Sequence, residues 1–107
     1  MAFPYHPLYP YQINHKNRVA VPTSPTDVVA KDAMIYQIVI VNPTAGAITI
    51  TIEDKDDTPS ELLEAVSIAA NTTYVVTFPF GEHMVGGISW TSSGAGLKAR
   101  IYGYYRA

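Results

Sequence analysis

Along the middle of the chain, apolar and polar positions alternate with a period of two. In "ITITIED" the isoleucines Ile48, Ile50 and Ile52 take every other place, with Thr49 and Thr51 between them. A period of two puts one set on the core side of a strand and the other toward water. The preceding run, "AMIYQIVIV", is apolar at both sets of positions from Ile38 to Val41, the pattern of a central strand covered on both faces. Between the runs stand Asn42-Pro43-Thr44-Ala45-Gly46, residues that form tight turns, so the two runs are expected to make a β-hairpin.

The flanking segments follow the same logic. "RVAV" (18–21), ended by Pro22, and "TDVVA" (26–30) are short strand candidates. In "EDKDDTPSELLEAVSI", Thr58, Pro59 and Glu61 fit a helix-capping box, so a loop with at most one helical turn through Leu63 is expected before a strand begins at Ala65. "TYVVTFPF" is a strand that Pro79 ends or places at a sheet edge. Turns are expected at Ala70-Asn71-Thr72, at Gly81-Glu82-His83 and at 92–96. A strand over Met84 to Thr91 is broken by a bulge or close approach at Gly86-Gly87, and the last strand runs from Leu97 to Tyr105. About six to eight short strands without a long helix predict an all-β fold, a small antiparallel β-sandwich or jelly roll.

The first residues do not share this pattern. Pro4, Pro7 and Pro10 recur every third position, with Phe3, Tyr5, Tyr9 and Tyr11 between and beside them. Such a strip is extended, whether as polyproline II or as a strand, and cannot be an α-helix. Residues 1–17 are therefore expected to form an extended N-terminal arm and residues 18–107 a single β-sandwich domain. The arm is expected to dock on a neighbouring protein by strand addition or by seating its rings in grooves. The alternative is that it folds back as an edge strand of its own sandwich.

Composition narrows the partners. The chain has 107 residues, 48% hydrophobic and only 15% charged, which suits one folded domain with a weakly charged, association-prone surface. A net charge of −2 gives no general pull toward nucleic acid or anionic lipid, and neither is expected as a partner. The longest apolar run, "IVIV", is too short to cross a bilayer. With no cysteine there are no disulfides, zinc–thiolate sites or thiol catalysis.

A search for chemistry returns little. His6, His15 and His83 have no metal-ligand spacing. Asp54 and Asp56 have the alternate spacing of a calcium loop but lack its central glycine and closing glutamate. No nucleophile elbow or phosphate loop is present. No catalytic, cofactor or metal residues are assigned, and the chain is read as non-enzymatic.

The last strand is more informative. Leu97, Ala99, Ile101 and Gly103 form one face, and Lys98, Arg100, Tyr102, Tyr104 and Arg106 the other. Tyrosine and arginine are favoured interface anchors, so the candidate interface set is Phe3, Tyr5, Tyr9, Tyr11, Arg100, Tyr102 and Tyr104. The same face suits a sugar, with Tyr102 and Tyr104 joined by Tyr74 or Trp90. The alternation of Trp90 with Ile88 places that tryptophan in the core instead.

The stretch "VSIAANTTYVVTFPFGEHMVGGISWTSSGAGLKARIYGYY" combines "A-N-T-T", "F-P-F-G", "G-G-I-S-W" and "S-G-A-G-L" at strand junctions. Across roughly residues 35–105 it resembles small β-sandwich proteins encoded among the structural genes of tailed bacteriophages. The resemblance implies a virion component of the capsid decoration (cement), head-fibre or tail accessory type. Its partners would be other virion proteins and copies of itself. It would be made in the host cytoplasm, consistent with the lack of a basic segment followed by an apolar run at the start. No functional residue is carried over by the resemblance.

Overall fold

In the computed structural model, residues 9, 11–13, 19–55 and 61–106 are described. Among them the strands are β1 (Tyr11–Gln12), β2 (Val19–Ala20), β3 (Thr26–Val29), β4 (Ala33–Asn42), β5 (Ile48–Asp54), β6 (Glu61–Ile68), β7 (Thr72–Met84), β8 (Ile88–Ser92) and β9 (Lys98–Tyr105). They form two antiparallel sheets. One has five strands in the order β1-β9-β4-β7, with β2 also on β9, and the other has four in the order β3-β8-β5-β6.

The connectivity can be read from the pairs β2·β9, β3·β8, β4·β7 and β5·β6. It is one long antiparallel ribbon folded at β5–β6 and then rolled, which adds β4·β9 and β5·β8. That is a jelly roll. The inner faces are largely isoleucine: Ile35, Ile38 and Ile40 from β4, Ile50 and Ile52 from β5, Ile88 from β8 and Ile101 from β9 are all fully buried. Trp90 joins them from β8 at 5% exposure. The period of two in "ITITIED" is realised as expected, with the isoleucines buried and the threonines on the outside of β5.

The expected hairpin between β4 and β5 does not form. Its strands lie in different sheets, so residues 43–47 make an arch that carries the chain across the core. Both edges of β4 are occupied, by β9 and β7. The isoleucines of β5 face those of β4 across the interior instead of lying beside them. Asn42 holds the arch. Its Nδ2 donates to the carbonyls of Gly46 and Ile68, both at 2.9 Å, while its Oδ1 accepts from Thr44 N at 3.0 Å and Thr44 Oγ1 at 2.6 Å. Turn-forming residues do not distinguish a hairpin from an arch; this buried amide, bonded to the far sheet, does.

Three further expectations are corrected. Residues 61–63 are extended, with Leu63 opposite Ile52, because the core takes the inward apolar row of β6; Thr58 and Pro59 lie outside the described residues. Gly81-Glu82-His83 is no turn but part of β7, opposite Ile35 and Met34, although Gly81 itself sits at φ 80. Met84 and Ile88 belong to different sheets, and the chain crosses between them at 85–87. There the buried Asp54 carboxylate accepts from Val85 N at 2.7 Å and Gly86 N at 2.9 Å. Pro79 does fall on an edge strand but does not end it.

The described part of the arm belongs to the sandwich. Tyr11 and Gln12 pair with Tyr105 and Tyr104, Ile13 N donates to Gly103 O at 2.9 Å, and Ile13 is buried in the core. For these residues that is the alternative reading, an edge strand of its own sandwich.

Candidate association face

The outer surface of the β9-β4-β7 sheet is set by register. Arg100, Val39 and Val75 form one row across it, Tyr102, Gln37 and Thr77 the next, and Tyr104, Met34 and His83 the last. Between the last two rows β4 has an extra residue, Tyr36, where its register shifts against both neighbours. Opposite Tyr36, β7 makes an excursion over residues 78–81 that pushes Phe80 out to 95% exposure. Gly81 lies against Met34 and Tyr36, and a Cβ there would come within 2.7 Å of Met34 Cε. Gly103 permits the matching approach on the β9 side, where a Cβ would run into the Met34 carbonyl.

The side chains on this face contact one another. The Arg100 guanidinium lies 4.4 Å from the centre of the Tyr102 ring, a cation–π contact. Tyr36 meets Tyr104 edge-on, with ring centres 6.3 Å apart at 76°. Val39 and Val41 are half-buried beside them, and Val75 is 52% exposed. The face is thus aliphatic and aromatic with a cationic margin, and ring contacts hold it in shape.

The seven expected interface residues do not gather in one place. Arg100, Tyr102 and Tyr104 share this face. Phe3 and Tyr5 lie outside the described residues. Tyr11 is 47% exposed, but it stacks on Tyr105 at 5.4 Å and lies with it on the other side of the sheet. Tyr9 departs furthest from its expected role, because it is 7% exposed and its hydroxyl donates to Asp32 Oδ1 at 3.0 Å. Burial, then this hydrogen bond, push the Tyr9 hydroxyl above its ordinary pKa. His83 Nε2 donates to the same oxygen at 2.6 Å, and Arg106 N donates to the Asp32 carbonyl at 2.9 Å. In place of the turn expected at His83 there is a clasp that fastens Tyr9 to β7 and to the chain after β9.

Met34, Tyr36, Val39, Val41 and Val75 belong to this candidate face, and sequence reasoning did not assign them. The signal was the two-sided apolar run of β4, read as a covered strand; its outer row is covered only in part. Trp90 faces inward from the other sheet, and Tyr74 sits on the inward row of the edge strand β7, so neither joins Tyr102 and Tyr104. Asp54 is committed to the 85–87 crossing, and Asp56 lies outside the described residues. No known protein family, characterised protein or solved structure matches this chain.

Proposed function

We propose that this protein is a non-enzymatic association module and that the outer face of the β9-β4-β7 sheet is the surface by which it joins other proteins. The observation that carries this reading is the asymmetry between the sheets. One outer face sets Tyr36, Val39, Val41, Val75, Arg100, Tyr102 and Tyr104 among Gln37, Thr73, Thr77 and Lys98, while the other is threonine, serine and acidic residues without an aromatic ring. Tyrosine and arginine over an aliphatic patch are the composition of an interface core. A virion accessory role, as capsid decoration, head-fibre or tail protein, is the setting that the phage-like pattern over residues 35–105 suggests. Jelly rolls serve in viral shells and in lectins alike, so the fold itself does not choose. A sugar platform is less well supported, since Trp90 and Tyr74 are placed elsewhere and Tyr102 has Arg100 against its ring.

The test is co-sedimentation. Expressed in its native source, the wild-type chain is expected to travel with a large assembly. Arg100→Ala with Tyr104→Ala should release it, while the purified variant still melts cooperatively. A wild-type chain that stays at the 11.7 kDa of a monomer, or a double variant that still co-sediments, overturns the reading.

A further inference from the structure

Among the described residues the two sheets end in four edges, and three are blunted. β1 and β2 are two residues each. β3 has four residues, a register shift after Asp27 and an ion pair from Asp27 to Lys55 at 2.6 Å. β6 carries Glu64, a positive-φ Ala65 and irregular pairing with β5. Short strands, charges and bulges are the devices that keep a foreign strand from adding to an edge. The fourth edge is β7. Its second half is blunted by Pro79 and the 78–81 excursion. Its first half, from Thr72 to Thr77, pairs with β4 residue by residue without a shift, and its other side is unpaired among the described residues. No charged residue occurs between Glu64 and Glu82. An uncharged, regular edge is a template for another strand.

We propose that this edge pairs with the same edge of a second copy, antiparallel about a two-fold axis at Val75, joining two five-stranded sheets into one. The strand itself identifies the occupant. Thr73-Tyr74-Val75-Val76-Thr77 has nearly the same chemistry read in either direction. Antiparallel pairing centred on Val75 sets Thr73 opposite the partner's Thr77, Tyr74 opposite the partner's Val76, and Val75 opposite its own copy. Thr–Thr, aromatic–β-branched and Val–Val neighbours all favour an antiparallel ladder. A two-fold contact requires such self-complementarity, and a neutral edge has nothing to offer a charged strand. The inference goes beyond the association face: it rests on backbone pairing along the edge, and although Val75 belongs to both surfaces, Arg100 and Tyr104 belong to the face alone and separate the two.

The experiment uses the purified chain. Sedimentation velocity should show a monomer–dimer equilibrium, and Val75→Lys should abolish the dimer by placing two like charges at the axis, with the thermal melt retained. Because the chain has no cysteine, position-specific cross-linking is clean. With a short thiol-to-thiol cross-linker, Val75→Cys should dimerise far faster than Thr49→Cys on the other sheet. A mixture of Thr73→Cys and Thr77→Cys chains should cross-link faster than either alone. A wild-type monomer at all concentrations overturns the proposal, as does a dimer that survives Val75→Lys. Equal cross-linking at positions 49 and 75 also overturns it, even if Val75→Lys fails to fold. Arg100→Ala with Tyr104→Ala should leave this dimer intact.

Discussion

The outer rows of the two sheets differ while their inner rows do not. β5, β6 and β8 turn Thr49, Thr51, Glu53, Ser67 and Thr91 outward, whereas β4, β7 and β9 turn out Tyr36, Val39, Val41, Val75, Arg100, Tyr102 and Tyr104 beside Gln37, Thr73, Thr77 and Lys98. Inside, both sheets contribute isoleucine at near-zero exposure. Threonine and valine are both β-branched and fit the pleat equally, so strand formation does not require the difference. Folding constrains the inward rows; the outward rows are free to differ. One has the composition of a surface that meets water. The other has the composition of a surface that is covered by another protein.

The sharpest test of the shared interior is a pair of core truncations. Ile38→Ala and Ile50→Ala should each cost about 2–5 kcal/mol in a denaturant titration, because each removes a fully buried branched side chain. If one cost far more than the other, the sheets would not contribute equally to one core. Next comes the arch that joins them. Asn42→Ala strips donors from the Gly46 and Ile68 carbonyls and an acceptor from Thr44, and should cost about 1–3 kcal/mol. A cost no larger than that of an exposed substitution would mean that the amide does not hold the crossing.

Exchanging the outer rows tests the comparison itself. Val39→Thr with Val41→Thr gives β4 the outer row of β5 and should change stability by no more than about 1 kcal/mol, while weakening co-sedimentation with the native assembly. Thr49→Val with Thr91→Val should raise non-specific self-association of the other sheet without restoring that co-sedimentation. Loss of co-sedimentation from the second pair would place the contact on the wrong face.

The smallest effect is expected at alkaline pH. The Tyr9 hydroxyl is raised from 10.0 by burial and by its bond to Asp32, so the folded chain holds that proton more tightly than the unfolded one. The stability linked to it is complete below the ordinary value and is lost as pH rises through the raised one. Unfolding free energies measured from about pH 8 to about pH 12 should fall less steeply for Tyr9→Phe than for wild type. Parallel curves would show that the clasp does not feel its proton.

Much of the strand layout was legible because it is local. The Ile48/Ile50/Ile52 row, the last strand with its two faces and the inward Trp90 all follow from alternation over a few residues. The site was legible only in part. Arg100, Tyr102 and Tyr104 share a strand, so their common face can be counted off. Met34, Tyr36, Val39, Val41 and Val75 join them only through pairing of β4 with β9 and β7, which local alternation does not specify.

What the sequence determined by itself is the all-β class, the period of two, the neutral surface and the absence of cysteine chemistry, since composition and short-range sterics decide these. The tertiary structure decided where the chain crosses from sheet to sheet. Asn42 and Asp54 look like ordinary turn and loop residues until their partners arrive from Ile68 and from Val85 and Gly86. It also decided that Tyr9 is buried against Asp32 and His83 and not displayed on an arm. A buried hydrogen bond between residues far apart in the chain leaves no periodic trace, because its partners are brought together only when the sheets close on one core.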